Sequence, residues 1–195
     1  MMRIAIAGGI GAGKSVVSRV MRAMGYEVYD SDSEARNLMD RDRGIIEAIR
    51  REVHEEAVDG MGRIDRAILG TAVFADEKKR LKLNRVVHSA VREDFRQWCT
   101  TRKHLQIVFV ECAILCESGL ADDVDAVWEV TAPDSLRIER VCVRNSLTPE
   151  QVLQRIAAQR AERESMASIE RTVLVNDGVT PMLPQIETAL NTAIL

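Results

Sequence analysis

The run Gly8-Gly9-Ile10-Gly11-Ala12-Gly13-Lys14-Ser15 constrains this chain more than any other stretch. It fits G-x-x-x-x-G-K-[ST], and its flanks suit the pattern. Ile4-Ala5-Ile6-Ala7 reads as a buried strand, and Val16, Val17, Val20, Met21 and Met24 fall on one side of a helix. Strand, glycine turn and helix together curl backbone N–H groups around the positive end of a helix dipole. That arrangement is a site for a polyphosphate. The expected cradle is Gly9, Ile10, Gly11, Ala12, Gly13, Lys14 and Ser15. Lys14 is expected to reach the β- and γ-phosphates, and the Ser15 hydroxyl to ligate Mg²⁺.

The rest of the composition narrows the setting. A chain of 195 residues suffices for one sizeable core with a small inserted subdomain. A net charge of −3 offers no broad basic field, so no nucleic-acid partner is expected. The four cysteines, Cys99, Cys112, Cys116 and Cys142, form no C-x-x-C pair and no zinc spacing. They read as reduced thiols of a cytoplasmic protein. The first apolar run is too short and glycine-broken for a signal peptide, and no stretch nears the roughly 18–20 apolar residues of a membrane span.

Short apolar runs alternate with longer helical ones. Strands are expected at residues 3–7, around 27–29, and at 105–110, 126–131 and 172–175. Such alternation implies an α/β fold, a parallel sheet with helices on both faces. Ligands of such sheets bind at the strand C-termini. The glycine loop, Asp30, Asp32, Glu111 and Asn176 all fall there. Residues 45–102 contain no confident strand and read as a helical insertion, interrupted by the turn-like Asp59-Gly60-Met61-Gly62. A segment over 146–166, with Arg155, Arg160 and Arg163 and few large apolar residues, suits a mobile lid.

Several side chains have two readings each. Asp30 and Asp32 close the second strand. One of them orients and deprotonates an acceptor hydroxyl, with Asp32 preferred, or else serves as N-cap of a helix beginning near Ser33. Glu111 is a Walker-B-like metal residue or a surface carboxylate at a strand end. Arg137, Arg140 and Arg144 share a helix face, as phosphate-neutralising guanidiniums or as a solvated stripe. His88 lies in an apolar-periodic helix as a partly buried histidine, and Asn176-Asp177-Gly178 is foremost a turn.

Taken together, these segments resemble the dephospho-coenzyme A kinase family nearly end to end. Asp30-Ser31-Asp32 with Ala35-Arg36 is similar to its D-x-D-x-x-A-R segment. Leu83-Asn84 with His88 is similar to its L-N-x-x-x-H segment, and Ile114 to Gly119 to its L-L-F-E loop. Arg140, Arg144 and the pair Arg155 and Gln159 fall at its lid arginines and R-x-x-x-Q pattern. Ser89, Ala113, Glu111 and Val175 depart from it. The resemblance implies a five-stranded parallel P-loop kinase core in three α/β/α layers, formed by residues 1–44 and 103–195. It adds a helical substrate subdomain over 45–102 and a lid. It implies transfer of phosphate from ATP, with Mg²⁺, to the ribose 3′-hydroxyl of dephospho-CoA. Asp32 then accepts the hydroxyl proton, Arg36 and His88 border the acceptor, Arg140 and Arg144 serve the phosphates, and Asn176 borders the adenine.

Three rival readings share the loop, one of them an ATP-binding scaffold without catalysis, left open by Ala113, Glu111 and Val175. A kinase of nucleoside monophosphates or sugar acids differs in the helical insertion. A GTP-dependent switch draws on Asp59-Gly60-Met61-Gly62 as D-x-x-G, but no N-K-x-D segment accompanies it.

Overall fold

Isoleucine, valine and alanine run almost without interruption through the predicted strands, the pattern of strands buried on both faces. The computed structural model, which describes residues 1–194, bears this out. β1 (Met2–Ala7) leads through the glycine loop into α1 (Lys14–Ala23) and β2 (Val28–Asp30). A helical stretch follows: α2 (Ser31–Arg41), α3 (Arg43–Glu52), a 3₁₀ turn (Glu55–Ala57), α4 (Arg66–Ala75) and α5 (Glu77–Thr100). The sheet resumes with β3 (Ile107–Glu111) and, after a 3₁₀ turn (Leu120–Asp123), β4 (Ala126–Thr131). α6 (Asp134–Asn145), α7 (Pro149–Ala158), α8 (Arg160–Ala167), β5 (Thr172–Val175) and α9 (Met182–Ile194) complete the chain.

All strand pairs are parallel, in the order β2-β3-β1-β4-β5. The first strand is therefore central, and the loop leaving it opens at the middle of the C-terminal edge. Ile4, Ile6, Phe109, Trp128 and Val130 form a buried cluster with Val17 and Met21 of α1 and Ile186, Ala189 and Leu190 of α9. Residues of the other parity, Ala5, Val108, Val110 and Val127, are buried too. Period-two alternation thus puts apolar side chains on both faces.

The chain divides into two compact units, residues 1–30 with the chain from Lys103 onward, and residues 31–102. The helical unit starts at Ser31, whereas the sequence placed its start at residue 45. The difference is α2, which packs with α3 against α5. Leu195, the last residue of the expected core, lies outside the described residues. Within the helical unit, Asp42, Asp65 and Asp76 cap α3, α4 and α5 by accepting first-turn backbone N–H bonds. Asp59-Gly60-Met61-Gly62 is a local turn. The Asp59 carboxylate accepts from the Met61 and Arg63 amides at 2.9 Å each, beside a Val58–Ile64 antiparallel bridge. No helix among the described residues is long and apolar enough to cross a membrane.

Candidate active site

The glycine loop meets the helix as its sequence requires. Gly13 precedes α1 with φ 106°, a left-handed conformation that strains any residue with a Cβ. A Cβ there would also collide with the Asn176 side-chain amide. That amide donates to the Ala12 carbonyl at 2.8 Å, so the turn after β5 is fastened to the loop. Arg140 reinforces it, its Nη2 donating to the Asn176 carbonyl at 3.1 Å. Arg140 Nη1 is buried without a hydrogen-bond partner. Lys14 Nζ donates to the Gly8 carbonyl at 2.8 Å and so lies folded over its own loop.

The three arginines of the α6 stripe part company. Arg137 is 8% exposed. Its Nε donates to the Ile10 carbonyl at 2.9 Å and its Nη1 to Asp134 at 2.8 Å. Arg140 takes the Asn176 turn. Arg144 is exposed and bonds its neighbour Asn145 at 3.0 Å. The shared face is real, but successive turns of α6 meet different surroundings, so one spacing yields three environments.

The α7–α8 segment also engages the edge of the sheet. Gln159, at the junction of the two helices, accepts from the Ile10 amide at 2.8 Å. Glu162 accepts from the consecutive amides of Cys116 and Glu117, each at 2.8 Å. A cavity of about 540 Å³ lies between the loop at Gly8 and Gly9, the end of β4 and these helices. Burial, aided by the Glu162 charge, pushes the Cys116 thiol up to about 11, so it is protonated at neutral pH. Sequence reasoning did not find the roles of Arg137 and Glu162, since neither belongs to a local motif. Gln159 carried only its place in R-x-x-x-Q.

Asp30 and Glu111 are the last residues of β2 and β3. Asp32 is not an N-cap. α2 begins at Ser31, straight from the strand, which puts Asp32 in the first helical turn where a carboxylate favours the dipole. Asp32 and Arg36 are four apart on α2, and His88 lies on α5, which α2 packs against. These three belong to the helical unit, while the loop, Glu111, Arg140, Arg144 and Asn176 belong to the sheet unit. No group of three or more His, Cys, Asp or Glu placed to hold a metal ion occurs among the described residues.

Comparison with known proteins decides the family. Residues 2–181 match the family model described as dephospho-CoA kinase. The chain belongs to the dephospho-CoA kinase family. A dephospho-CoA kinase of Bacteroides fragilis is 41% identical over 187 residues, spanning 95% of this chain and 89% of the relative. The crystal structure of TT1252 from Thermus thermophilus is 35% identical, with a TM-score of 0.76 over 99% of this chain and 96% of that one. Dephospho-CoA kinase from Campylobacter jejuni, at 20% identity, shares the fold with a TM-score of 0.67 over 98% and 94%. The family match takes in both units, so the loop, the helical unit and the α7–α8 segment all belong to the family's extent.

Proposed function

We propose that this family member phosphorylates the ribose 3′-hydroxyl of dephospho-CoA with ATP, giving coenzyme A, ADP and a proton. The observation that carries the nucleotide half is the cradle itself. A glycine loop leaves the central strand of a parallel sheet, enters a helix N-terminus, and is fastened by Asn176 and Arg140. Backbone donors and a helix dipole at that place suit a polyphosphate. The family match and the relative at 41% identity support the acceptor.

In this reading the loop amides hold the phosphates, and Lys14 exchanges its carbonyl partner for a phosphate oxygen. The buried, unpartnered Arg140 Nη1 is a donor available to an anion after a small side-chain shift. Arg144, exposed one turn on, serves the same charge. Asn176 borders the base. Asp32 orients the alcohol and takes its proton, while Arg36 and His88 hold the rest of the acceptor. The α7–α8 lid excludes water, which would otherwise accept the phosphoryl group.

Mg²⁺ bound with the nucleotide would supply neutralisation of the charge that develops on the phosphates. Ser15, the second residue of α1, and Glu111 with Asp30 at neighbouring strand ends supply suitable oxygens. A cytoplasmic setting is part of the reading, supported by the family match.

The test is a coupled ADP-release assay in which dephospho-CoA is the sole acceptor. ADP should form with dephospho-CoA and ATP. Equal or better turnover with nucleoside monophosphates or gluconate, or a preference for GTP, would overturn the assignment.

A further inference from the structure

Ile10 is held at both ends of its backbone by side chains from distant sequence. Arg137 Nε donates to its carbonyl at 2.9 Å, and Gln159 Oε1 accepts from its N–H at 2.8 Å. Ile10 is also the second residue of a β-turn, closed by the Ala12 amide donating to the Gly9 carbonyl at 3.2 Å. The third residue, Gly11, has φ 76°, and Ile10 is not among the residues with positive φ. That combination marks a type II turn.

Type I and type II turns differ by a flip of their central peptide, here Ile10–Gly11. Glycine at the third position tolerates both signs of φ, so the loop alone does not decide between them. The consequence for a phosphate is large. In a trans peptide the C=O and N–H point opposite ways. With the Ile10 oxygen turned to the Arg137 guanidinium, the Gly11 N–H points away from that guanidinium. A flip would exchange that donor for a carbonyl oxygen, which repels an anion.

We infer that Arg137 and Gln159 are positioning residues that lock the loop tip in its donor-presenting orientation. Arg137 fixes the flippable peptide from α6. Gln159 fixes the peptide before it from the α7–α8 junction, which ties the order of the loop to the seating of the lid. Arg137 thus supports the phosphate loop rather than the migrating phosphoryl group. The inference rests on the loop being a nucleotide site.

The experiment compares Arg137→Lys and Gln159→Ala with the parent. ADP and ATP dissociation constants are measured by calorimetry without acceptor, alongside kcat and KM. Lysine cannot donate to Ile10 and Asp134 in one fixed fork. If the competent orientation is only partly populated, apparent affinity falls by that fraction. Losing a charge-assisted bond should weaken ADP and ATP alike by ~10–100-fold in Arg137→Lys, and losing a neutral one by ~3–10-fold in Gln159→Ala. At saturating ATP, kcat should stay within about threefold of the parent, since binding restores the orientation. Hydrogen exchange at residues 9–12 should quicken in both variants.

Unchanged ADP and ATP affinity in Gln159→Ala would overturn the inference, and this half-buried site decides the matter even if Arg137→Lys folds poorly. So would a kcat loss of ~10²–10³-fold with ADP affinity intact, the mark of a transition-state contact. Failure of the parent to bind either nucleotide would instead sink the functional reading.

Discussion

Asp30 and Glu111 are register partners on adjacent parallel strands, and Ile6 continues their row on the central strand. Partners in a sheet project to one face, with strands about 4.8 Å apart. Ile6 packs in the cluster that holds Val17 and Met21 of α1, so both carboxylates lie on the face that α1 covers. Two adjacent carboxylates repel unless a cation or proton intervenes. Asp30→Asn and Glu111→Gln are each expected to raise the Mg²⁺ concentration for half-maximal ADP release by ~10–100-fold. A titration superimposable on the parent's would remove both from the metal site.

Lys14 is predicted to act in the transition state. Its Nζ bonds the Gly8 carbonyl at 2.8 Å, within the loop it is meant to serve. Lys14→Ala should lower kcat/KM by ~10²–10³-fold or more. Steady-state rates near the parent's would strike it from the mechanism.

Asp32 is expected to behave as a base. Asp32→Asn keeps the first-turn position and removes the proton acceptor, so kcat should fall by ~10²–10⁴-fold with ATP affinity held. Calorimetry with ATP provides the control. A collapse of ATP binding with kcat preserved would make Asp32 a structural or metal residue.

At Gly13 a methyl group meets two obstacles, φ 106° and the Asn176 amide. Gly13→Ala should cost ~1–2 kcal/mol from the left-handed backbone alone, and should also loosen the Asn176 bond to Ala12. Nucleotide affinity should therefore fall along with thermal stability. Full affinity would show that the fastening of the loop by Asn176 does not matter to binding.

Two titrations shape stability in opposite directions. Arg3 hydrogen bonds hold the Asp125 carboxyl below its ordinary range, with contacts of 2.8 Å at both oxygens. Stability from that pair is present above the unfolded carboxyl pKa and is lost as pH falls through the lowered value. Burial, the leading cause, raises Cys116 to about 11 from 9.0. Its contribution is present below pH 9 and lost as pH climbs towards 11. Melting temperatures against pH should show Asp125→Asn flattening the acid limb and Cys116→Ser the alkaline limb. Parallel curves would contradict both linkages.

Much of the fold was legible because its signals are local. Apolar runs located all five strands to within a few residues, and glycine spacing with Lys14 and Ser15 identified the loop. The ends were less legible. The sequence stopped β3 at Val110 and put the helix after β2 near Ser33, whereas pairing carries β3 to Glu111 and α2 starts at Ser31. Strand ends depend on neighbours that periodicity does not see.

Sequence by itself determined the family, the parallel α/β class and the position of the glycine loop, since each is written in local residue patterns and their spacing. Only the tertiary structure decided which arginine of the α6 stripe does what. It turned Arg137 onto Ile10 and Arg140 onto Asn176, and left Arg144 in solvent. Helical spacing puts side chains on a common face, but partners 127 and 36 residues away are brought there by chain folding alone.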